Sequence, residues 1–266
     1  MRELVRVNDH LSMNRGFGTR ELNDALEKAM IREDEFKTKQ SFAPSGLGYS
    51  GSCPRYWYYA FNGAVFSSNA DALAVANMNQ GSSAGERLAQ LLDDAGLLVS
   101  AETEVNTIGH ATYPPIRGYI DALINWKGEE VVVEVKTTNN NQWNWRVTKN
   151  EVPEYQMIQL LIYMYVTDHT GGFFMTENKD TNELFILPVR MTEENKALVE
   201  RVFDWMRTVK DNADNGELPT RPFTQASSQC KGCAVRDTCW DGFKRGSVNG
   251  EDPNPGTINL EVLQLS

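Results

Sequence analysis

The chain has 266 residues, 41% hydrophobic and 23% charged, which is the composition of an ordinary globular protein with a real core. Its net charge of −10 argues against tight, non-specific binding of nucleic acid, although a local basic groove can coexist with an acidic exterior. No run of about 18 apolar residues occurs to span a membrane. The start Met1-Arg2-Glu3-Leu4-Val5-Arg6 carries no secretion signal, so the expectation is an intracellular, cytoplasmic protein.

In chain order, residues 1–18 show no periodicity. A charged amphipathic helix is predicted over 19–39, with Leu22, Leu26, Met30 and Ile31 on one side, broken by Pro44-Ser45-Gly46. An aromatic helix over 53–61 and a helix over 71–95, ending near Gly96, follow. The period then becomes strand-like over 97–107, 116–126 and 129–137. A helix over 153–167, a hairpin of 173–176 with 184–189, and a helix over 192–214 come next, the last striped by Leu198, Val202, Trp205, Met206 and Val209. An irregular cysteine-bearing segment and an extended tail from Ser247 close the chain. This order predicts an α/β fold with a mixed central sheet flanked by helices.

The chemistry concentrates in Gly118-Tyr119-Ile120-Asp121 and Val133-Glu134-Val135-Lys136. A two-residue turn at Lys127-Gly128 sets Trp126 opposite Glu129 and, counting back, Asp121 opposite Glu134. Facing side chains lie about 4.5–5.5 Å apart at Cβ, and Lys136 shares the face of Glu134. Two opposed carboxylates repel unless a cation lies between them. Oxygen donors of this kind suit Mg²⁺ or Mn²⁺. The same pattern also fits an exposed strand face of alternating charge.

Asp121 with Glu134-Val135-Lys136 resembles the D…ExK core of PD-(D/E)XK nucleases. Gln159-Leu160-Leu161-Ile162-Tyr163 resembles the QxxxY motif of their RecB-like branch, and Gln156, Gln159 and Tyr163 share one helical face. Without the resemblance, that face reads as a solvated one. Gly81-Ser82-Ser83-Ala84-Gly85-Glu86-Arg87 is similar to the family's glycine and His-Glu motif, with Gly85 where the histidine usually stands. The resemblance implies that Asp121, Glu134 and the Val135 carbonyl hold the metal. Glu86 completes or orients the site, Lys136 assists the attacking water, and Gln159 and Tyr163 support the geometry.

Cys230, Cys233 and Cys239 form C-x₂-C-x₅-C, and Cys53 lies far upstream in Cys-Pro-Arg. Four thiols in an intracellular chain suit an iron–sulfur cluster, zinc, or burial as free thiols. The pattern is similar to CRISPR-associated RecB-like nucleases and the AddB nuclease domain, and implies a [4Fe–4S] cluster joining Cys53 to the late trio as a clamp. The expected organisation is therefore an N-terminal helical extension over 1–44, a PD-(D/E)XK restriction-endonuclease-like core with an iron–sulfur-stapled helical subdomain over 45–243, and a tail over 244–266.

His10, His110 and His169 fit no triad, and nucleophile-elbow, P-loop and dinucleotide motifs are absent. Trp143, Trp145, Arg146 and Lys149 fit either a base-stacking surface or a hydrophobic anchor. The resemblance implies a metal-dependent DNA exonuclease acting on single strands or ends. It would serve recombination, replication or CRISPR adaptation, with protein partners there, and would work in the host cytoplasm if phage-encoded. A weakly active or inactive DNA-end or partner-binding module of the same fold is the alternative.

Overall fold

In the computed structural model of the protein, residues 19–68, 70–241 and 254–264 are described. The elements in order are α1 (Thr19–Met30), β1 (Glu35–Lys37), α2 (Pro54–Asn62), β2 (Ala64–Phe66), α3 (Ala72–Asp94), β3 (Leu98–Asn106), β4 (Arg117–Trp126) and β5 (Glu129–Thr138). Then come α4 (Asn140–Lys149), α5 (Glu154–Val166), β6 (Gly171–Asn178), β7 (Leu184–Arg190), α6 (Glu193–Asp214), α7 (Ser228–Lys231) and α8 (Arg236–Trp240).

The sheet takes its register from one turn. Lys127 (φ 56°) and Gly128 (φ 87°) both adopt left-handed backbone, the requirement of a tight type I′ hairpin. That turn pairs Trp126 with Glu129, and the antiparallel ladder runs back to Ala122 opposite Val133. On the other side of β4, β3 pairs antiparallel, with an extra residue between Leu98 and Ser100. β5 runs parallel to β6, and β6 forms a hairpin with β7, so the order is β3-β4-β5-β6-β7. A parallel neighbour needs a crossover, and α4 and α5 supply it.

Both faces of the sheet are covered. Leu123, Val132 and Phe174 point into the larger core, packed by Trp57 of α2, Ile158 and Leu161 of α5, and Val202 and Met206 of α6. Their neighbours Ala122, Ile124, Val131, Val133 and Met175 point the other way, onto Leu88 and Leu92 of α3. This period-two division is what the apolar runs of β4 and β5 encode. Asp71 starts α3 by accepting from the Ala74 amide, and Gly96 (φ 68°) follows its end.

One expectation is corrected. The first helix stops at Met30 instead of running to 39. Glu35-Phe36-Lys37 pairs instead with Ala64-Val65-Phe66, a tertiary contact that overrides local helix pattern. Residues 140–149 form a helix, α4, capped by the Asn139 side chain. The tail segment 254–264 lies along the core: Leu263 is buried in it, and Trp205 donates to the Glu261 carbonyl. No described helix is long and apolar enough to cross a membrane. His10 lies outside the described residues, whereas His110 stacks on Tyr113 and His169 bonds Thr167 and Glu130.

Candidate nuclease site and cysteine centre

The β4–β5 ladder stops one pair short of Asp121 and Glu134. In place of a ladder bond, the Val135 amide donates to Asp121 Oδ2 at 2.6 Å. Glu134 is 0% exposed, so it does not belong to a solvated strand face. Its Oε1 accepts from Lys136 Nζ, and its Oε2 is buried with no hydrogen-bond partner. Burial pushes the Glu134 carboxyl up to about 8; the Lys136 ammonium opposes that rise, and the Asp121 and Glu102 carboxyls add to it. Burial also raises Asp121, against Lys136 and the Val135 amide.

Asp121, Val135 and Lys136 line an open cleft of about 550 Å³. Gly81, Gly85 and Glu86 of α3 form its opposite wall. Glu86 is thus brought to the same cleft as the strand acids. At Gly85, the position without the expected histidine, an added Cβ would meet nothing within 4 Å.

Gln156, Gln159 and Tyr163 are only 8%, 6% and 2% exposed, which excludes a solvated helix face. Burial raises the Tyr163 phenol, and Glu134 and Asp121 raise it further; the Tyr119 amide and the Gln159 side chain bond its oxygen. This hydroxyl packs directly on Gly118, where a Cβ has no room. Glycine at 118 is therefore what lets α5 seat its tyrosine against the carboxylates.

One site residue escapes the sequence reading. Glu102 of β3 lies between the pairs Ala101–Ala122 and Thr103–Ile120, hence across from Asp121. It shares the cleft. Burial, then Asp121 and Glu86, raise its carboxyl. Its φ of 49° is strained for a side-chain-bearing residue. The only sequence signal is an acid on the strand next to Asp121, and its register depends on the upstream bulge.

The four cysteines meet at the other site. Cys53 precedes α2, Cys230 lies on α7, Cys233 follows it, and Cys239 lies on α8. None forms a disulfide, and all four line one small enclosed cavity with Tyr56, Phe223 and Trp240. Burial pushes the Cys53 thiol up to about 12 and Cys233 to about 11, with neighbouring cysteines adding to both. N–H groups nevertheless point at the sulfurs. The Tyr56 and Arg55 amides bond Cys53, the Val235 amide bonds Cys233, and Arg55 Nε donates to Cys239 Sγ at 3.2 Å. The buried Arg55 also donates to the Pro219 and Asn254 carbonyls, tying α2 to the C-terminal segments.

Among the described residues, no group of three or more His, Cys, Asp or Glu side chains is placed to hold a metal ion. The donor chemistry of each site still fits one. A buried, unpartnered carboxylate oxygen beside a second acid suits a hard cation. Four converging thiols with N–H donors suit a soft metal centre.

A family model described as the PD-(D/E)XK nuclease superfamily matches residues 67–240. Similar solved structures include an alkaline exonuclease from Laribacter hongkongensis, 11% identical with a TM-score of 0.49, covering 72% of this chain and 95% of that one. The same enzyme in complex with dAMP is 13% identical with a TM-score of 0.46, covering 72% and 95%. The protein SSO0001 is 17% identical with a TM-score of 0.42, covering 84% and 96%. No curated protein matches the chain. The matched span runs from the end of β2 through α8 and includes the cleft, its acids and the three late cysteines; the chain belongs to the PD-(D/E)XK nuclease superfamily.

Proposed function

We propose that the protein is a divalent-metal-dependent DNA exonuclease that hydrolyses phosphodiester bonds, working on single strands or DNA ends. The observation that carries this reading is Glu134 Oε2, buried and unpartnered beside Asp121 and Lys136, which line an open cleft. Glu134, Asp121 and the Val135 carbonyl would hold Mg²⁺ or Mn²⁺, with Glu86 and Glu102 on the opposite and neighbouring walls. The ion, when bound, supplies positive charge for the phosphate that reacts.

The chain's own groups do the rest. Lys136 is held by its ion pair with Glu134, which fixes the ammonium where it can orient a water and stabilise negative charge on phosphate. The Asp121 carboxylate is fixed by the Val135 amide. Tyr163 and Gln159 close the inner side and exclude bulk water from Glu134. The four cysteines are proposed to carry a [4Fe–4S] cluster that staples Cys53 to the segment from Cys230 to Cys239. Such a long closure restricts the unfolded chain and fixes the ends of the core. Recombination, replication or CRISPR adaptation are the settings that suit this chemistry, in the cytoplasm of a cell or of a phage host.

The test uses protein purified without oxygen, end-labelled single-stranded and duplex DNA, and Mg²⁺ or Mn²⁺. Metal-dependent shortening from the ends is expected, reduced about 10³-fold in Lys136→Ala. Intact protein that degrades neither substrate would overturn the nuclease reading and leave a DNA-end or partner-binding module.

A further inference from the structure

Buried polar groups without partners occur on β5, on β6 and on the helices α4 and α5 that link them. Besides Glu134 Oε2 they include Trp143 Nε1, Arg146 Nε and Nη1, Gln156 Oε1 and Thr176 Oγ1. Thr176 sits in register with Lys136 across the β5–β6 ladder. Glu134 is explained by a cation. Arg146 calls for the opposite charge.

Arg146 lies on α4, two helical turns beyond the strand that carries Lys136. It is 4% exposed and takes part in no ion pair among the described residues. Burial pulls its guanidinium down, and the Tyr155 phenol opposes that shift. Arg146 and Lys136 both act on the Tyr155 phenol, so its ring lies near both cations. That ring is fixed: it packs on Gly48, where a Cβ would come within 2.8 Å, and Gln156 Nε2 donates to its hydroxyl at 3.3 Å. Tyr49, left-handed at φ 48° and 66% exposed, lies 5.5 Å from it.

A guanidinium buried without a carboxylate costs stability, because its lost hydration is not replaced. Most such arginines are paired. An unpaired one beside a phosphate-cleaving site is a receptor for an anion, and the guanidinium fork matches phosphate oxygens two at a time. Trp145 and Val147, the neighbours of Arg146 in sequence, are exposed, so α4 lies at the surface.

We propose that Arg146 takes a backbone phosphate of the bound strand, next to the phosphate that faces Lys136, with Tyr155 and Tyr49 as the aromatic wall beside them. Arg146 is a positioning residue in this account, and the proposal rests on the nuclease reading. It accounts for a buried cation that the fold itself leaves unpaired.

The test is binding of a fluorescent single-stranded oligonucleotide, by anisotropy, in a salt series without divalent metal. The cluster-loaded full chain is compared with Arg146→Gln and Arg146→Lys. Arg146→Gln is expected to keep or raise the thermal midpoint, since it removes an unpaired buried charge. It should weaken binding about tenfold at low salt and flatten the plot of log K against log salt by about 0.7, the share of one single-strand phosphate contact. Arg146→Lys should restore the slope and only part of the affinity, because the charge returns without the fork. A glutamine variant with unchanged affinity and slope would overturn the proposal. So would one that unfolds or melts lower with its slope intact, which would make Arg146 structural, and so would a wild type that binds no oligonucleotide. A wild type that binds with the predicted variant effects but cuts nothing would keep this inference and remove the nuclease reading. A wild type that cuts while Arg146→Gln binds normally would do the reverse.

Discussion

The carboxylate site and the cysteine site are held by different means. Asp121, Glu134 and Lys136 sit on two central strands whose register is set by a two-residue turn and backed by cores on both faces. Their geometry comes from backbone hydrogen bonding and exists before any ligand arrives. The cysteines sit where α2 meets two short helices, backed by a satellite cluster of Tyr59, Ala64 and Val235. Little apolar burial holds those segments together, and Arg55 spans them with single bonds to carbonyls and sulfur. The carboxylate site is prebuilt at a cost in buried charge, whereas at the cysteine site the proposed cluster would supply the cohesion.

The largest effect that sharpens this comparison is expected at the cysteines. Cys233→Ala should lose bound iron and its visible absorption, lower the thermal midpoint by about 10 °C and weaken DNA binding. Full stability and full affinity in that variant would break the comparison. Glu134→Gln should behave in the opposite way. In metal-free protein its midpoint should stay within about 2 °C of wild type or rise, because a carboxylate that is costly to ionise has been replaced by a neutral amide. A fall of the size expected for Cys233→Ala would show that the carboxylate site is as ligand-dependent as the thiol site. The smallest effect is expected at Gly85→His. The position opens into the cleft with nothing within 4 Å of a Cβ, and glycine within a helix costs about 0.5–1 kcal/mol relative to alanine. The variant should melt slightly higher and bind Mn²⁺ more tightly through the added imidazole. A lower midpoint by differential scanning calorimetry would show that α3 needs glycine there for packing.

The two sites were also unequally legible in the sequence. The β4–β5 register could be counted residue by residue, because Lys127-Gly128 leaves one place for a tight turn and the apolar alternation allows no slip. Burial of Gln159 and Tyr163 could not be counted; it depends on Gly118 making room, a contact between distant segments. Glu102 stayed hidden because the bulge at Leu98–Ser100 and a left-handed backbone set its direction. α4 was missed because residues 140–149 are rich in asparagine and polar groups, so no apolar stripe announces a helix. The burial of Arg146 was invisible for the same reason that makes it informative, since charge alone predicts a surface. The cysteine spacing named four donors, while the cavity they share follows from the packing of α2 against α8.

Asp121 and Glu134 are proposed to form a cation site at the end of their ladder. Mn²⁺ titration, followed by the paramagnetic resonance signal of the free ion in protein without DNA, reads that claim directly. Wild type should remove Mn²⁺ from the free pool in a saturable way, and Glu134→Gln, with its fold intact, should lose that binding. Equal Mn²⁺ binding by the two proteins would contradict the account.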